Sequence, residues 1–152
     1  MREITLNGST GTYFLDMVGK IGGRYVGKFI MRCYLTPIER IACDREFRDL
    51  IGKIQTGVDP NVEYLAFALT QLKYRIVSYP PFWDNGDTPI GGGQIADREI
   101  IEELLNTANE VETKYSESLI EKHEQSLKQM EKQLHKEKKD QKINKEFAEN
   151  AK

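Results

Sequence analysis

The feature that most constrains the fold is a long charged segment with one apolar stripe, which begins near Asp97 and ends near residue 140. Apolar side chains recur there at steps of three and four residues, the spacing of one face of an α-helix. The stripe consists of Ile101, Leu104, Ala108, Val111, Tyr115, Leu119, His123, Leu127, Met130 and Leu134. This pattern predicts a single long, amphipathic, coiled-coil-like helix over residues 97–140.

A helix of that length cannot bury its stripe against a small domain alone. At a rise of 1.5 Å per residue, residues 98–140 would span roughly 60 Å. The stripe therefore needs a partner, either copies of the same chain or a groove on another protein. We predict that every stripe residue except His123 contacts that partner. Replacing Leu104 and Val111 with Asp is accordingly expected to abolish association and to leave the rest of the chain folded.

The residues before Asp97 are rich in Tyr, Phe, Ile and Leu, so they can bury a core. Alternating polarity over residues 24–35 predicts a half-exposed antiparallel strand, with Tyr25 and Phe29 on its apolar face. The pattern of residues 1–6 predicts another short strand. The pattern of residues 13–18 predicts either a further strand or a single helical turn. Gly and Asn between these segments are typical of turns.

Two helices are predicted before the long one. Thr36, Pro37 and Glu39 form a helix start with a capping box, and this helix should end near Ile51 because Gly52 follows. Its predicted apolar face comprises Ile38, Ile41, Ala42, Leu50 and Ile51. A second helix starts at Asp59-Pro60 and ends before Pro80 and Pro81, since proline disfavours helix in the residue before it. The fold class is therefore α+β: a small N-terminal head of short antiparallel strands and two helices, followed by one long C-terminal helix.

Composition divides the chain into four parts. Residues 1–81 form the α+β head, and residues 82–96 form a Pro/Gly-rich loop or hinge that contains three consecutive glycines. Residues 97–140 form the amphipathic helix. The apolar stripe stops near Glu137, so residues 141–152 are predicted to be a frayed or disordered tail.

Phe82 and Trp83 follow two prolines at the predicted tip of the loop. Large aromatic side chains dominate the energetics of protein interfaces, so both residues are candidate partner anchors. The competing interpretation is that Trp83 folds back and covers the core of the head. Replacing Trp83 with Ala separates the two, because only the second interpretation predicts a loss of head stability.

Residues that would carry chemistry are sparse and scattered. The two histidines, His123 and His135, are more than three helical turns apart, too far to bind one metal ion. Neither Cys33 nor Cys43 has a neighbouring histidine, and two half-buried thiols are favoured over one Cys33–Cys43 bridge. We predict no catalytic, cofactor-binding or metal-binding residues, and hence a protein that is not an enzyme.

Charge and hydropathy limit the classes of molecule that the chain is expected to bind. The net charge is −2, with 11 basic against 10 acidic residues before position 97 and 11 against 14 from position 97 onward. Without clustered positive charge, binding to nucleic acid is disfavoured. No apolar run approaches the ~20 residues of a membrane span, and no signal peptide is visible. The expected partners are other protein subunits of a larger assembly, with other copies of this chain left open as one alternative, and no cofactor is expected.

Several short segments between residues 27 and 83 resemble small proteins encoded among the structural genes of tailed bacteriophages. These segments are Gly27-Lys28-Phe29, Leu35-Thr36-Pro37, residues 44–52, residues 65–76 and Pro81-Phe82-Trp83. The resemblance covers under half of the chain and leaves out the long helix.

The resemblance implies a non-enzymatic virion structural or assembly protein that docks on neighbouring subunits through its long helix. It would then lie in the virion or in the cytoplasm of the host cell. The alternative is a cytoplasmic adaptor or chaperone-like protein that self-associates through the helix.

Overall fold

The computed structural model describes residues 2–52, 59–83 and 95–150. The elements, in chain order, are β1 (Ile4–Asn7), β2 (Thr10–Val18), β3 (Arg24–Arg32), α1 (Pro37–Gly52), α2 (Pro60–Arg75), β4 (Ile76–Ser78), a short 3-10 turn (Pro81–Trp83) and α3 (Arg98–Asn150). This arrangement confirms the predicted α+β class, with N-terminal antiparallel strands, two helices and one long C-terminal helix.

The chain forms two compact units, and α3 contributes to both. Unit 1 is Met1–Tyr115, and unit 2 is Ser116–Lys152. The predicted boundary between head and helix, at residues 82–96, differs from this division because the first turns of α3 belong to unit 1. Residues 84–94 of the predicted hinge, including its three glycines, lie outside the described residues.

Unit 1 is built on a single antiparallel sheet in the order β1-β2-β3-β4. The turns between the first three strands contain Gly8 at φ 61° and Gly23 at φ 82°. Glycine adopts such positive φ values without the steric strain that a Cβ atom would introduce. Strand β3 has the alternation predicted from the sequence, with Tyr25 and Phe29 buried and Val26 exposed.

The core of unit 1 lies between the inner face of the sheet and two helices. It combines the sheet residues Tyr13, Leu15, Tyr25, Phe29 and Met31 with Ala68 and Leu72 of α2, with Trp83, and with Ile100, Ile101, Leu104, Leu105 and Ala108 of α3. The opposite face of the sheet exposes Phe14, Val18 and Val26.

Helix α1 buries a face that overlaps only in part with the predicted one, because Ala42, Leu50 and Ile51 are half-buried but Ile38 and Ile41 are not. Ile38 and Ile41 were predicted to face the core, but they are 78% and 62% exposed. The helix instead buries Cys43, and Phe47 packs edge-to-face on Phe67 of α2 with ring centroids 5.7 Å apart. Cys43 and Phe47 are four residues apart and so share a helix face. The prediction was wrong because it gave no weight to cysteine, which packs as a small apolar side chain.

Strand β4 was not predicted, because the sequence was interpreted as helical almost to Pro80. Helix α2 ends at Arg75, and Ile76 has extended backbone at φ −76° and ψ 122°. Residues 76–78 then pair with the edge of β3. The β-branched side chains of Ile76 and Val77 favour strand over helix, and they are the local signal for this change.

Helix α3 continues to Asn150. Residues 141–150, which were predicted to be a frayed or disordered tail, are therefore helical, and residues 151–152 lie outside the described residues. The apolar stripe does end near residue 137, but the Lys, Glu, Gln and Ala residues that follow are strong helix formers. The end of the apolar stripe in the sequence therefore does not mark the end of the helix.

Cys33 and Cys43 are free and buried, so the alternative of a bridge between them is excluded. Burial raises the pKa of both thiols, since a buried thiolate loses its hydration. Within the described ranges, no helix carries an apolar stretch long enough to cross a membrane.

Asp97 fastens the turn between β2 and β3 to the first turn of α3. Its carboxylate is 1% exposed and accepts hydrogen bonds from the backbone N–H groups of Ile21 at 2.8 Å and Gly22 at 2.6 Å, and from the Tyr25 hydroxyl at 2.9 Å. Its carbonyl also accepts the N–H of Ile100, as a helix-capping residue does. A Cβ atom at Gly22 would lie 2.9 Å from the Asp97 carboxylate, so this close turn requires glycine.

Asp97→Asn is expected to destabilise unit 1 in a pH-dependent way. Burial tends to raise the pKa of Asp97, but the hydrogen bonds from Ile21, Gly22 and Tyr25 outweigh it, so the folded pKa is lowered. The unfolded chain therefore takes up the proton first. The stabilisation is fully present above the unfolded pKa of about 3.9, and it is lost as the pH falls through the folded pKa.

Thermal unfolding followed by circular dichroism checks this prediction. At pH 7 the variant should melt roughly 5 °C below the wild type, because an amide cannot accept both backbone N–H bonds. The difference should shrink as the pH falls below about 4, where the wild-type carboxylate becomes protonated. A difference that stays constant from pH 7 to pH 3 would contradict the role of the charged carboxylate.

Candidate functional site

The first half of the apolar stripe is buried inside unit 1. Ile101, Leu104, Ala108 and Val111 are between 0% and 4% exposed. Val111 packs so closely on β2 that a Cβ atom at Gly11 would lie 2.8 Å from its Cγ1 atom. These four residues were predicted to contact a partner, and that prediction was wrong because other parts of unit 1 already cover them.

Tyr115, the next stripe residue, also makes its contacts within unit 1. It is half-buried, and its ring stacks on that of Tyr34 with centroids 5.6 Å apart and an interplanar angle of 25°. The stripe is therefore an intramolecular surface from Ile101 to Tyr115.

Phe82 and Trp83 pack on the inner face of the sheet. Trp83 is 2% exposed and lies edge-on to Phe29, with ring centroids 5.8 Å apart. Phe82 is half-buried and lies edge-on to Tyr25 at 5.3 Å. The structure thus favours the interpretation in which Trp83 covers the core, and the candidate anchor at Trp83 is not available at the surface.

The second half of the stripe is exposed and lies in unit 2. We call it the exposed row, and it consists of Leu119, Ile120, Leu127, Met130 and Leu134. Each of these side chains is between 46% and 58% exposed. Four of them were predicted to contact a partner, and Ile120 widens the row. The exposed row spans residues 119–134, or about 22 Å along a helix axis.

The exposed row can act chemically only as an apolar contact surface. Single exposed apolar residues are ordinary, but a continuous row on one helix typically marks a surface that binds another molecule. His123 lies between Ile120 and Leu127 at the spacing of the same face. Of the candidate residues in the chain, Leu119, Leu127, Met130 and Leu134 are those that the structure leaves accessible on one surface.

Comparison with known proteins provides no relative from which a function can be transferred. No family model, curated protein or solved structure matches the chain. The functional interpretation therefore depends on the exposed row.

An ionic cluster between β1, β2 and α3 was not predicted. The Arg2 guanidinium donates to both carboxylate oxygens of Glu103, at 2.6 and 2.8 Å, and to Glu110 at 3.1 Å. The Tyr13 hydroxyl donates to Glu103 at 3.1 Å. The bond from Arg2 lowers the pKa of Glu103, while burial and the nearby Glu103 charge raise the pKa of Tyr13 to about 12.

This cluster borders an open groove of about 710 Å³ that is also lined by Thr5, Thr12 and Phe14. Arg2 and Glu103 neutralise each other, so the cluster holds the residues just before β1 against α3. Arg2 and Glu103 are 101 positions apart, and no local pattern in the sequence connects them.

A second ionic cluster joins the three helices of unit 1. Arg75 of α2 is 6% exposed and lies 2.8 Å from Glu112 of α3, and Arg40 of α1 donates to the same carboxylate at 2.9 Å. Burial tends to raise the pKa of Glu112, but the two guanidinium groups outweigh it and lower that pKa. Arg75 makes this contact from the buried side of α2, where a sequence pattern suggests only apolar residues.

Potential metal ligands are not grouped in the described parts of the chain. Across residues 2–52, 59–83 and 95–150, no cluster of three or more His, Cys, Asp or Glu side chains has the geometry to hold a metal ion. His123 and His135 are both exposed on unit 2. The site that remains for functional interpretation is the exposed row.

Proposed function

We propose that this chain is a non-enzymatic structural or assembly protein of a tailed bacteriophage, and that it docks on neighbouring protein subunits through the exposed row. The observation that carries the docking is the run of large apolar side chains between Leu119 and Leu134, each about half exposed on a helix. The assignment to a phage assembly is supported by the segments between residues 27 and 83. The protein would act in the virion or in the cytoplasm of the host cell.

The energetics of the exposed row fit a subunit of a many-copy assembly. Covering one half-exposed Leu, Ile or Met side chain gains roughly 1 kcal/mol. Five such side chains gain about 5 kcal/mol, which lies at the low end of the roughly 4–15 kcal/mol that association costs in lost translational and rotational freedom. A single contact of this kind is weak, but several linked contacts in one particle bind strongly through effective concentration.

Replacing Leu127 and Leu134 with Asp is expected to release the chain from its assembly. Each substitution removes an apolar contact and would place a charge in an apolar interface, so binding should fall at least about 100-fold. The readout is the amount of the chain that co-purifies with phage particles, measured by quantitative mass spectrometry. Both residues are exposed in unit 2, so unit 1 should melt at the wild-type temperature.

The matched control is Gln125→Asp with Gln129→Asp. It adds the same two charges within the same turns of α3, at positions of the helix face opposite Leu127. This control should remain in the particles at the wild-type level. Equal recovery of the wild type and the Leu127→Asp/Leu134→Asp variant would contradict docking through the exposed row.

The second candidate function is that of a cytoplasmic adaptor or chaperone-like protein that self-associates through the helix. It is favoured by the same exposed row, since a helix face with repeated apolar residues suits pairing of identical helices. The two functions differ in where the chain is found. A chain recovered from infected cells but absent from purified particles supports the adaptor over the virion component.

A further inference from the structure

Large side chains of unit 2 recur every seven residues, and a second set follows the first by three residues. The first set is Ile120, Leu127 and Leu134, and the second set is His123 and Met130. We call these five residues the seam, because their spacing is that of the contact line between two helices of a coiled coil. Every residue from 119 to 150 is exposed, so the described part of unit 2 leaves the seam uncovered.

A second copy of the chain covers the whole seam when the two helices run parallel and in register. Each seam residue then lies beside the same residue of the second copy, so Ile120, Leu127, Met130 and Leu134 all gain an apolar neighbour. His123 also lies beside its own copy, and this is the only polar layer of the seam. A shift by one repeat would place an imidazole against an apolar residue, so the polar layer favours the in-register pair.

Antiparallel pairs leave part of the seam against polar residues. Reversing one helix places each residue of the first set opposite the spacing of the second set. The antiparallel register with Leu127 against Met130 of the second copy places Ile120 against Glu137 of the second copy. A shift by one repeat in either direction places Leu127 against His123 or against Glu137 of the second copy. The parallel pair is therefore the arrangement that gives every apolar residue of the seam an apolar neighbour.

The residues on either side of the seam also suit the parallel pair. In that pair, the flank just before the first set lies beside the flank that follows the second set on the other copy. The first flank holds Leu119, Ser126, Gln133 and Asp140, and the second holds Glu124, Glu131, Lys138 and Lys145. No like charges meet between these flanks. Asp140 lies between Lys138 and Lys145 of the second copy, and two-fold symmetry repeats this attraction.

The other lysines between residues 132 and 145 lie at outer positions of the repeat. They are Lys132, Lys136, Lys139 and Lys142. The axes of packed helices are 8–10 Å apart, so side chains on their outer faces are farther apart than the roughly 8 Å screening length of physiological salt. Repulsion between these lysines and those of a second copy is therefore largely screened.

We propose that residues 119–145 of two copies of this chain pair as parallel, in-register helices. The pair covers the exposed row on both copies, since Leu119 at its flanking position lies against the methylene groups of Glu124 of the second copy. This inference rests on the proposed function, because it uses the exposed row and names a second copy of the chain as the neighbouring subunit.

Cross-linking through introduced cysteines tests the pairing. His123→Cys and Gln125→Cys are made singly in the full chain and oxidised mildly, and the products are separated on non-reducing gels. His123→Cys should form a disulfide-linked dimer with a yield roughly tenfold above that of Gln125→Cys, because residue 125 lies on the helix face opposite the seam. The wild-type chain measures the background, since Cys33 and Cys43 are free and buried. Equal yields from the two variants overturn the proposal.

A mixture of two variants tests the orientation. His123→Cys and Leu134→Cys chains, one of them carrying a size tag, should form only self-linked products. Their cysteines are eleven positions apart, which is about 16 Å along a parallel pair. In the antiparallel register with Leu127 against Met130, residue 123 faces residue 134 of the second copy. A mixed product that exceeds the self-linked ones therefore overturns the parallel pair.

Sedimentation of the wild type over a concentration series tests the pair without the particles. The mass should rise from one copy to two, and a chain that stays monomeric up to about 1 mM or reaches three copies overturns the pair. If Leu127→Asp/Leu134→Asp still leaves the particles in that case, the exposed row docks on a different subunit and the proposed function stands. If the wild type pairs and that variant remains in the particles, the pair stands and docking on the particle through the exposed row fails.

Discussion

Leu104→Asp combined with Val111→Asp is expected to unfold unit 1, not merely to block association. Both side chains are 0% exposed, and Leu104 lies in the core between the sheet and α2. A buried carboxylate without a partner is among the most destabilising single changes in a protein. Each substitution should lower the free energy of unfolding by at least about 4 kcal/mol. Together they approach the whole stability of a typical domain, which is about 5–15 kcal/mol.

Circular dichroism and thermal unfolding measure this effect, with Leu127→Asp/Leu134→Asp as the matched control. Both double variants introduce two aspartates at apolar positions seven residues apart on the same helix. The first should lose its cooperative transition, and the second should melt within about 2 °C of the wild type. A Leu104→Asp/Val111→Asp chain that melts normally but no longer associates would show that this part of α3 can leave the core.

The contrast between these variants shows what periodicity can and cannot predict. Ile101, Leu104, Ala108 and Val111 have the same three-and-four spacing as Leu127, Met130 and Leu134, so both runs were predicted as one partner surface. Spacing reveals that a helix face is apolar, but it does not reveal whether the same chain covers it. The stripe takes steps of four residues from Tyr115 to Leu127, and this change of phase begins where unit 1 ends.

The N-terminal caps of α1 and α2 were predicted correctly, because they depend on contacts between residues that are close in the sequence. Asp59 caps α2, since its carboxylate accepts the N–H of Asn61 at 2.9 Å. Thr36 and Glu39 form the predicted capping box, with the backbone N–H of each bonded to the side chain of the other at 3.1 and 3.3 Å. These contacts join residues two or three positions apart, so the sequence contains all of the relevant information.

Long-range contacts were not predicted, and they determine which part of α3 is available to a partner. Arg2 reaches Glu103, and Arg75 reaches Glu112, only after the sheet and the helices have packed. Together with the hydrogen bonds from the β2–β3 turn to the Asp97 carboxylate, these contacts hold the part of α3 before Tyr115 in unit 1. They leave Leu119 to Leu134 as the exposed row, which reduces the predicted docking surface to its C-terminal half.

Trp83→Ala is expected to lower the free energy of unfolding by about 4 kcal/mol, the typical effect of truncating a fully buried aromatic side chain. Trp83 is 2% exposed, and its removal leaves a cavity beside Phe29. Chemical denaturation followed by circular dichroism measures the loss. Fluorescence suits only the wild type, because Trp83 is the single tryptophan of the chain.

Trp83→Phe is the matched control, since it keeps an aromatic ring against Phe29 and should recover more than half of the loss. The exposed row of the Trp83→Ala variant is intact, so the variant should still dock wherever its unit 1 remains folded. A Trp83→Ala chain of wild-type stability that fails to dock would contradict this prediction. That outcome would require Trp83 to leave the core and serve as the anchor, with docking coupled to the opening of unit 1.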